Sequence, residues 1–472
     1  MKISKSAEIY TWRQLARRVG IPVSDADTTG FEQLDLPVHY GLPDDADPSR
    51  PNLTICRAND DDWDELLTLH KQDLIWNPPN EIFPLGTNLP FQNLIPALFW
   101  GRNIDKKTTT FAEQLPNGSI VFYADILAAS LFMLSRWEET VAQTKDRHSR
   151  FPAASSVAYK LGFLTIPIVD QYALILREWL KLAVPGWAPR RNVPEINLTH
   201  DVDHIYQYAS PISLARALTL TLASKQPLKN VRREFKSLRT QLFDPQLGEK
   251  YLAIYELANR SKEQGLKSRF YFMAAKASLK QQGYNPAGSL VQKAFRFLQQ
   301  QGHEIGFHPG YTTFENPGVL SQEKECLENA LGEKVLGGRQ HFLRFRVPYT
   351  WRHWEQVRLK YDSTLGYADH EGFRCGTCHP YKPFDLEQDR EIDLLEIPLI
   401  VMDTTLIEYR KMTITEGRKS ILELARKCVE VEGKFTLLWH NVTLVGKYID
   451  WGNMYIEILP KLKKLVTQGT ID

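Results

Sequence analysis

Beyond Pro194 the chain alternates between two kinds of segment all the way to its end. Short β-prone apolar runs cover residues 195–199, 268–273, 304–307, 342–346, 394–400 and 434–439. Runs with helical spacing of apolar residues cover 249–264, 289–301, 321–331, 350–360, 415–429 and 451–465. Such alternation predicts an α/β fold in which a parallel sheet or barrel is wrapped by helices. In these folds the chemistry sits at the C-terminal ends of the strands.

Those strand ends are where polar side chains collect. The first run leads into Thr199-His200-Asp201-Val202-Asp203-His204, the third lies within Gly302-His303-Glu304-Ile305-Gly306-Phe307-His308, the fourth enters Arg344-Phe345-Arg346-Val347-Pro348-Tyr349, and the last ends in Trp439-His440-Asn441. Residues i and i+2 of a strand share a face, so Asp201 and Asp203 are expected to point into one space. Two carboxylates that close resist joint ionisation unless a cation lies between them. A metal with a water nucleophile would both relieve and use that repulsion. Burying four polar clusters without a use would cost several kcal/mol each.

The stretch 184–194 contains Pro185, Gly186, Pro189 and Pro194, a density that breaks helix and strand alike. It divides the 472 residues into an expected mixed α/β accessory domain at 1–185, a linker at 186–194 and a barrel at 195–472. In the first part, 119–123 reads as strand, 126–140 and 167–182 as helices, and 143–150 as a polar loop. The run Ser135-Arg136-Trp137-Glu138-Glu139 is expected on a solvated or inter-domain face. A helical insertion near 205–248 carries a basic segment, 216–239, read first as a hairpin with a solvated face and otherwise as a contact for a membrane surface or an anionic carrier.

With a formal net charge of +2, the chain gives no sign of a nucleic-acid partner. The N-terminus has no apolar core after its charges, and five scattered cysteines fit reduced thiols, so a cytoplasmic location is expected. Cys375-Gly376-Thr377-Cys378-His379 matches the covalent-haem pattern but is read as a loop with two incidental thiols.

The four clusters together resemble the motifs of the polysaccharide deacetylases, the NodB-like carbohydrate esterases of family four. That family's Thr-Phe-Asp-Asp is similar to Thr199 to Asp203 with one residue inserted between the acids. Its Gly-His-Glu-Ile-Gly-Asn-His matches Gly302 to His308 except at Phe307, its Arg-x-Pro-Tyr matches Arg346 to Tyr349, and its final apolar strand ending in histidine matches Leu437 to Asn441. The N-terminal region resembles the extension on one bacterial branch of the family. The resemblance covers about residues 194 to 472 and implies a distorted (β/α) barrel that hydrolyses N-acetyl groups from sugars.

It also implies roles. Asp203 and His308 hold a divalent metal, usually zinc; Asp201 is the general base, kept ionised by Arg346; the backbone N–H of Tyr349 helps bind the oxyanion; and His440, with Asp403 as partner, is the general acid. The family's next metal histidine falls at Thr312 here, so His204, His200, Asp201 or water is expected to complete the site. The expected substrate is an N-acetylated carbohydrate or glycan precursor. A carbohydrate-binding barrel with impaired catalysis, motivated by Thr312, and a hydrolase of a non-sugar amide are the alternatives.

Overall fold

A computed structural model describes residues 2–468 apart from 25–28, 48, 106–109, 143, 207, 209–213, 216–217, 220–221, 223–226, 277 and 279–282. Its main sheet has eight strands: β1 (Glu195–Val202), β2 (Ser268–Phe272), β3 (Glu304–Phe307), β4 (Gly337–Gly338), β5 (Tyr361–Asp362), β6 (Leu395–Glu396), β7 (Val401–Met402) and β8 (Lys434–Leu438). Their order is β6-β5-β4-β3-β2-β1-β8-β7, and every neighbouring pair is parallel. The order is sequential around a curled sheet, with β6 and β7 at its two edges.

The expected alternation of strand and helix is present. The helices after β1, β2, β3, β4 and β7 include Glu249–Glu263, Ser289–Gln300, Pro317–Leu331, Tyr349–Gln356 and Ile414–Glu430, and Ile449–Gln468 closes the chain. Two expectations change. Of the run at 394–400 only Leu395–Glu396 is strand (β6), and β7 begins just beyond it at Val401. The run at 342–346 is not a strand: His341–Leu343 is a tight helical turn, and the strand is the pair of glycines before it. A Cβ on Gly338 would stand 1.7 Å from the Phe307 carbonyl oxygen, and one on Gly337 would stand 2.2 Å from that of Tyr361. Only glycine fits there, and glycine carries no strand signal.

The preceding region has its own four-stranded sheet, ordered Val38–Gly41, Leu53–Cys56, Ile120–Phe122, Ala112–Gln114. Helices Lys5–Val19, Ile126–Ser135 and Ile168–Ala183 pack with it, and its buried apolar residues run continuously into those of the curled sheet. The helix expected at 126–140 breaks at Arg136, whose φ is +55°. Rather than facing solvent, Arg136 is fully buried between Glu138 and Glu139, and Glu139 also binds Arg374 of the barrel.

Cys378 makes a similar junction. Its N–H and that of Arg18 Nε both reach the buried Asp170 carboxylate, at 2.8 and 3.0 Å. His379 Nε2 lies 2.8 Å from the Val431 carbonyl, so this acid, thiol and imidazole are already committed to holding segments together.

Of the basic segment 216–239, Arg216 and Lys225 lie outside the described residues, and helix Pro227–Phe243 presents Arg232, Phe235, Lys236, Arg239, Leu242 and Phe243 to solvent. Among the described residues no helix is long and apolar enough to cross a membrane.

Candidate active site

Strand β1 places Asp201 one residue before its end and Asp203 just beyond it, on the same side, while His200 points to the other. His200 is buried against the Phe270 ring, 2.8 Å from the Trp439 carbonyl and 3.3 Å from Ser268 Oγ. Burial drives its proton affinity down to about 3, so it is a neutral structural residue.

The two aspartates have different partners. Asp201 Oδ1 accepts from Arg339 Nη1 at 2.9 Å. The guanidinium is fully buried, donates to the Ser363 carbonyl and hydroxyl at 2.7 and 3.0 Å, and lies over the Tyr271 ring. Arg339 follows the two glycines of β4, so their close approach to β3 and β5 carries it inward beneath Asp201.

Asp203 faces histidines instead. Its Oδ1 is 3.1 Å from His308 Nε2 and 3.7 Å from His341 Nε2. One ligand atom from each of Asp203, His308 and His341 lies within 4.8 Å of the others. Atoms at opposite corners of a tetrahedral zinc site, each about 2.0–2.1 Å from the ion, are roughly 3.3 Å apart, so the spacing suits a single divalent ion. Asp203 Oδ1 and His308 Nε2 are buried and make no hydrogen bond, as donors reserved for a cation would be. His308 Nδ1 sits 2.6 Å from the Arg339 carbonyl, which turns Nε2 toward Asp203. The donor set therefore fits a metal.

The electrostatics agree. Burial would raise the Asp203 carboxyl, but His341, His308 and His440 outweigh it and hold the group far below the usual carboxylate range. Burial disfavours charge on His308, yet Asp201 and Asp203 raise its proton affinity. His341 goes the other way: burial, helped by the neighbouring histidines, overcomes Asp203 and takes it down to about 3, leaving a neutral ring.

His440 stands across the pocket with Nε2 3.8 Å from Asp203 Oδ2. These groups open into a cavity of about 140 Å³ walled by Arg150, Phe342, Leu343, Met402, Thr404 and Tyr409.

Residues 61–185 match a family of unknown function, DUF7033. No curated protein matches the chain. Among solved structures, a candidate polysaccharide deacetylase from Mycobacterium smegmatis is similar at 17% identity and TM-score 0.36, over 58% of this chain and 87% of that one. A candidate polysaccharide deacetylase of O-antigen biosynthesis from Bordetella bronchiseptica aligns at 13% identity and TM-score 0.27, over 59% and 84%. A CE4 family pseudoenzyme from Bacillus anthracis aligns at 10% identity and TM-score 0.29, over 62% and 68%.

Of the residues singled out in the sequence, Asp201, Asp203, His308 and His440 line this one pocket, and Asp403 sits behind His440. Arg346 does not join them. It is half exposed, 3.6 Å from Glu315, because the turn at 341–343 and the start of helix Tyr349–Gln356 carry it outward. Arg339 occupies the place beside Asp201. Tyr349 lines a separate cavity with Arg346, and its hydroxyl donates to Glu387 at 3.2 Å. His204 is anchored through its carbonyl, which accepts from Asn441 at 2.7 Å, and its ring is not part of the grouped ligand atoms. Thr312 is exposed. The third donor is His341, which with Arg339 escaped the sequence reading; the sequence signal for both was the Gly-Gly pair followed by Arg-x-His.

Proposed function

We propose that this pocket removes the acetyl group from an N-acetylated carbohydrate by hydrolysis. The observation that carries the reading is the division of the aspartate pair. Asp203 groups with two imidazoles at metal-ligand spacing, Asp201 is clamped by a buried arginine, and His440 lines the same pocket. Asp203, His308 and His341 would hold a divalent ion, with zinc favoured by the nitrogen-rich set, which supplies a Lewis acid for the amide carbonyl and lowers the pKa of water.

The protein's own groups do the proton work. Asp201 Oδ2, 3.8 Å from His308 Nε2, takes the proton of the attacking water as general base. Arg339 holds Asp201 through its other oxygen, which fixes the carboxylate's direction. His440 gives its Nε2 proton to the departing nitrogen, an amine that otherwise leaves poorly, and Asp403 on Nδ1 orients the ring and raises its proton affinity beforehand. Phe342, Leu343, Met402 and Tyr409 form an apolar wall suited to a methyl group and a sugar face.

The loss-of-catalysis reading rested on the absent histidine at Thr312. In place of Thr312, His341 would supply a third donor from another loop. The test is acetate release from N-acetylhexosamine oligosaccharides by zinc-loaded protein, with Asp201→Asn as control. Release by the unsubstituted protein and its collapse in the variant support hydrolysis. Amide turnover restricted to non-sugar substrates would redirect the proposal.

A further inference from the structure

The metal donor absent from its usual place is carried by an unusual piece of backbone. His341 opens the turn His341–Leu343, in which Phe342 and Leu343 have φ of +61° and +53°. Successive left-handed residues with bulky side chains do not persist unless surroundings impose them. The surroundings come from the region before the barrel.

Arg150, almost wholly buried, donates from Nη1 to the Phe342 carbonyl at 3.0 Å and from Nη2 to the Tyr409 hydroxyl at 2.8 Å. Its Nε donates to Asp146 at 2.8 Å. The His148 ring lies 4.8 Å from the Phe342 ring, and its carbonyl accepts from Arg344 Nε at 2.8 Å, one residue past the turn. Asp146 Oδ1 accepts from the N–H groups of His148 and Arg150 at 2.8 and 2.9 Å, so the segment that grips the turn is itself preformed.

We propose that residues 146–150 form a clamp that holds the 341–343 turn so that His341 can ligate the metal, with Arg150 as the positioning residue. The proposal rests on the metal site assigned above. It gives the region matching the family of unknown function a direct part in the site: that region shapes a ligand it does not itself contain. Partners that orient metal ligands typically change affinity by about 10–100-fold when removed.

The experiment is a zinc competition titration against a chromophoric chelator, using the full chain, for the unsubstituted protein, Arg150→Ala, His341→Ala and the double variant. Circular dichroism melts of the metal-free proteins check folding. The clamp predicts about 10–100-fold weaker zinc binding for Arg150→Ala, and less than about threefold further loss when it is added to His341→Ala, because both act through one ligand. Arg150→Lys, which keeps a donor for the Phe342 carbonyl, recovers part of the affinity. If Arg150→Ala does not fold, His148→Ala decides, with a loss of several-fold expected. Unchanged zinc affinity in the folded variant, or an equal penalty with and without His341, overturns the clamp. A rise in KM with unchanged zinc affinity also overturns it and makes Arg150 a substrate contact. Zinc binding that follows the predicted pattern without acetate release would sink the hydrolase reading alone.

Discussion

His440 Nδ1 lies 2.6 Å from Asp403 Oδ1, and the other oxygen of the same carboxylate accepts the His440 backbone N–H at 2.7 Å. Asp403 is fully buried, also accepts from the Thr443 hydroxyl, and is held below its ordinary proton affinity: burial would raise it, but His440 outweighs burial. Burial alone would strip the proton from His440, yet Asp403 lifts its affinity to about 10. The pair thus holds a proton beside the pocket. Because folding raises His440, its contribution to stability is complete below its ordinary 6.5 and is lost as pH climbs through about 10. In metal-free Asp403→Asn, NMR titration of His440 should show a midpoint several units lower. Turnover at neutral pH should fall about 100-fold or more.

Arg339 and Arg346 separate by burial and by partner. Arg339→Lys cannot keep the fork that joins Asp201 to Ser363, so kcat should drop at least about tenfold with little change in KM. Arg346→Ala removes a half-exposed group paired only loosely with Glu315, and steady-state kinetics should change by less than about threefold. A larger effect at Arg346 than at Arg339 would reverse the assignment.

Moving the third histidine back should not help. In His341→Ala the zinc affinity should fall by at least about tenfold, and adding Thr312→His should leave it low, since that position faces solvent. Competition titrations read both. Recovery on adding Thr312→His would mean that the loop from Pro309 onward can turn inward.

Glu139 sits between two buried arginines, 2.8 Å from Arg136 Nε and 2.6 Å from Arg374 Nη2. Glu139→Ala leaves the buried Arg374 without a carboxylate and Arg136 with Glu138 alone, and should destabilise the protein by about 3–5 kcal/mol in urea unfolding. Burial would raise Glu139, but the arginines outweigh it and lower its proton affinity. Its stabilising contribution is therefore present above about 4.5 and fades as pH falls below that value.

Much of the barrel was legible because strands and helices differ in period: β2, β3 and β8 match the expected bounds within a residue, and β1 starts where expected but runs three residues further. The carboxylate pair and two of the facing histidines followed, since each ends or directly follows a strand with ordinary apolar content. Around β4 the sequence misleads for a physical reason. A strand of two glycines has no hydrophobic pattern, and Phe342-Leu343-Arg344-Phe345 looks more like a strand than the real one. That displaced the assigned arginine from Arg339 to Arg346 and hid His341. The grip of Arg150 on the turn was beyond reach, because it depends on a contact 192 residues apart.

The measurement that bears most directly on the central claim is acetate release from N-acetylhexosamine oligosaccharides by the zinc-loaded protein, run beside Asp201→Asn and His440→Ala. The account predicts release that disappears on chelation, returns with zinc, and falls at least about 100-fold in each variant. Equal release by the unsubstituted protein and Asp201→Asn, or none from a protein that binds zinc stoichiometrically, would contradict it.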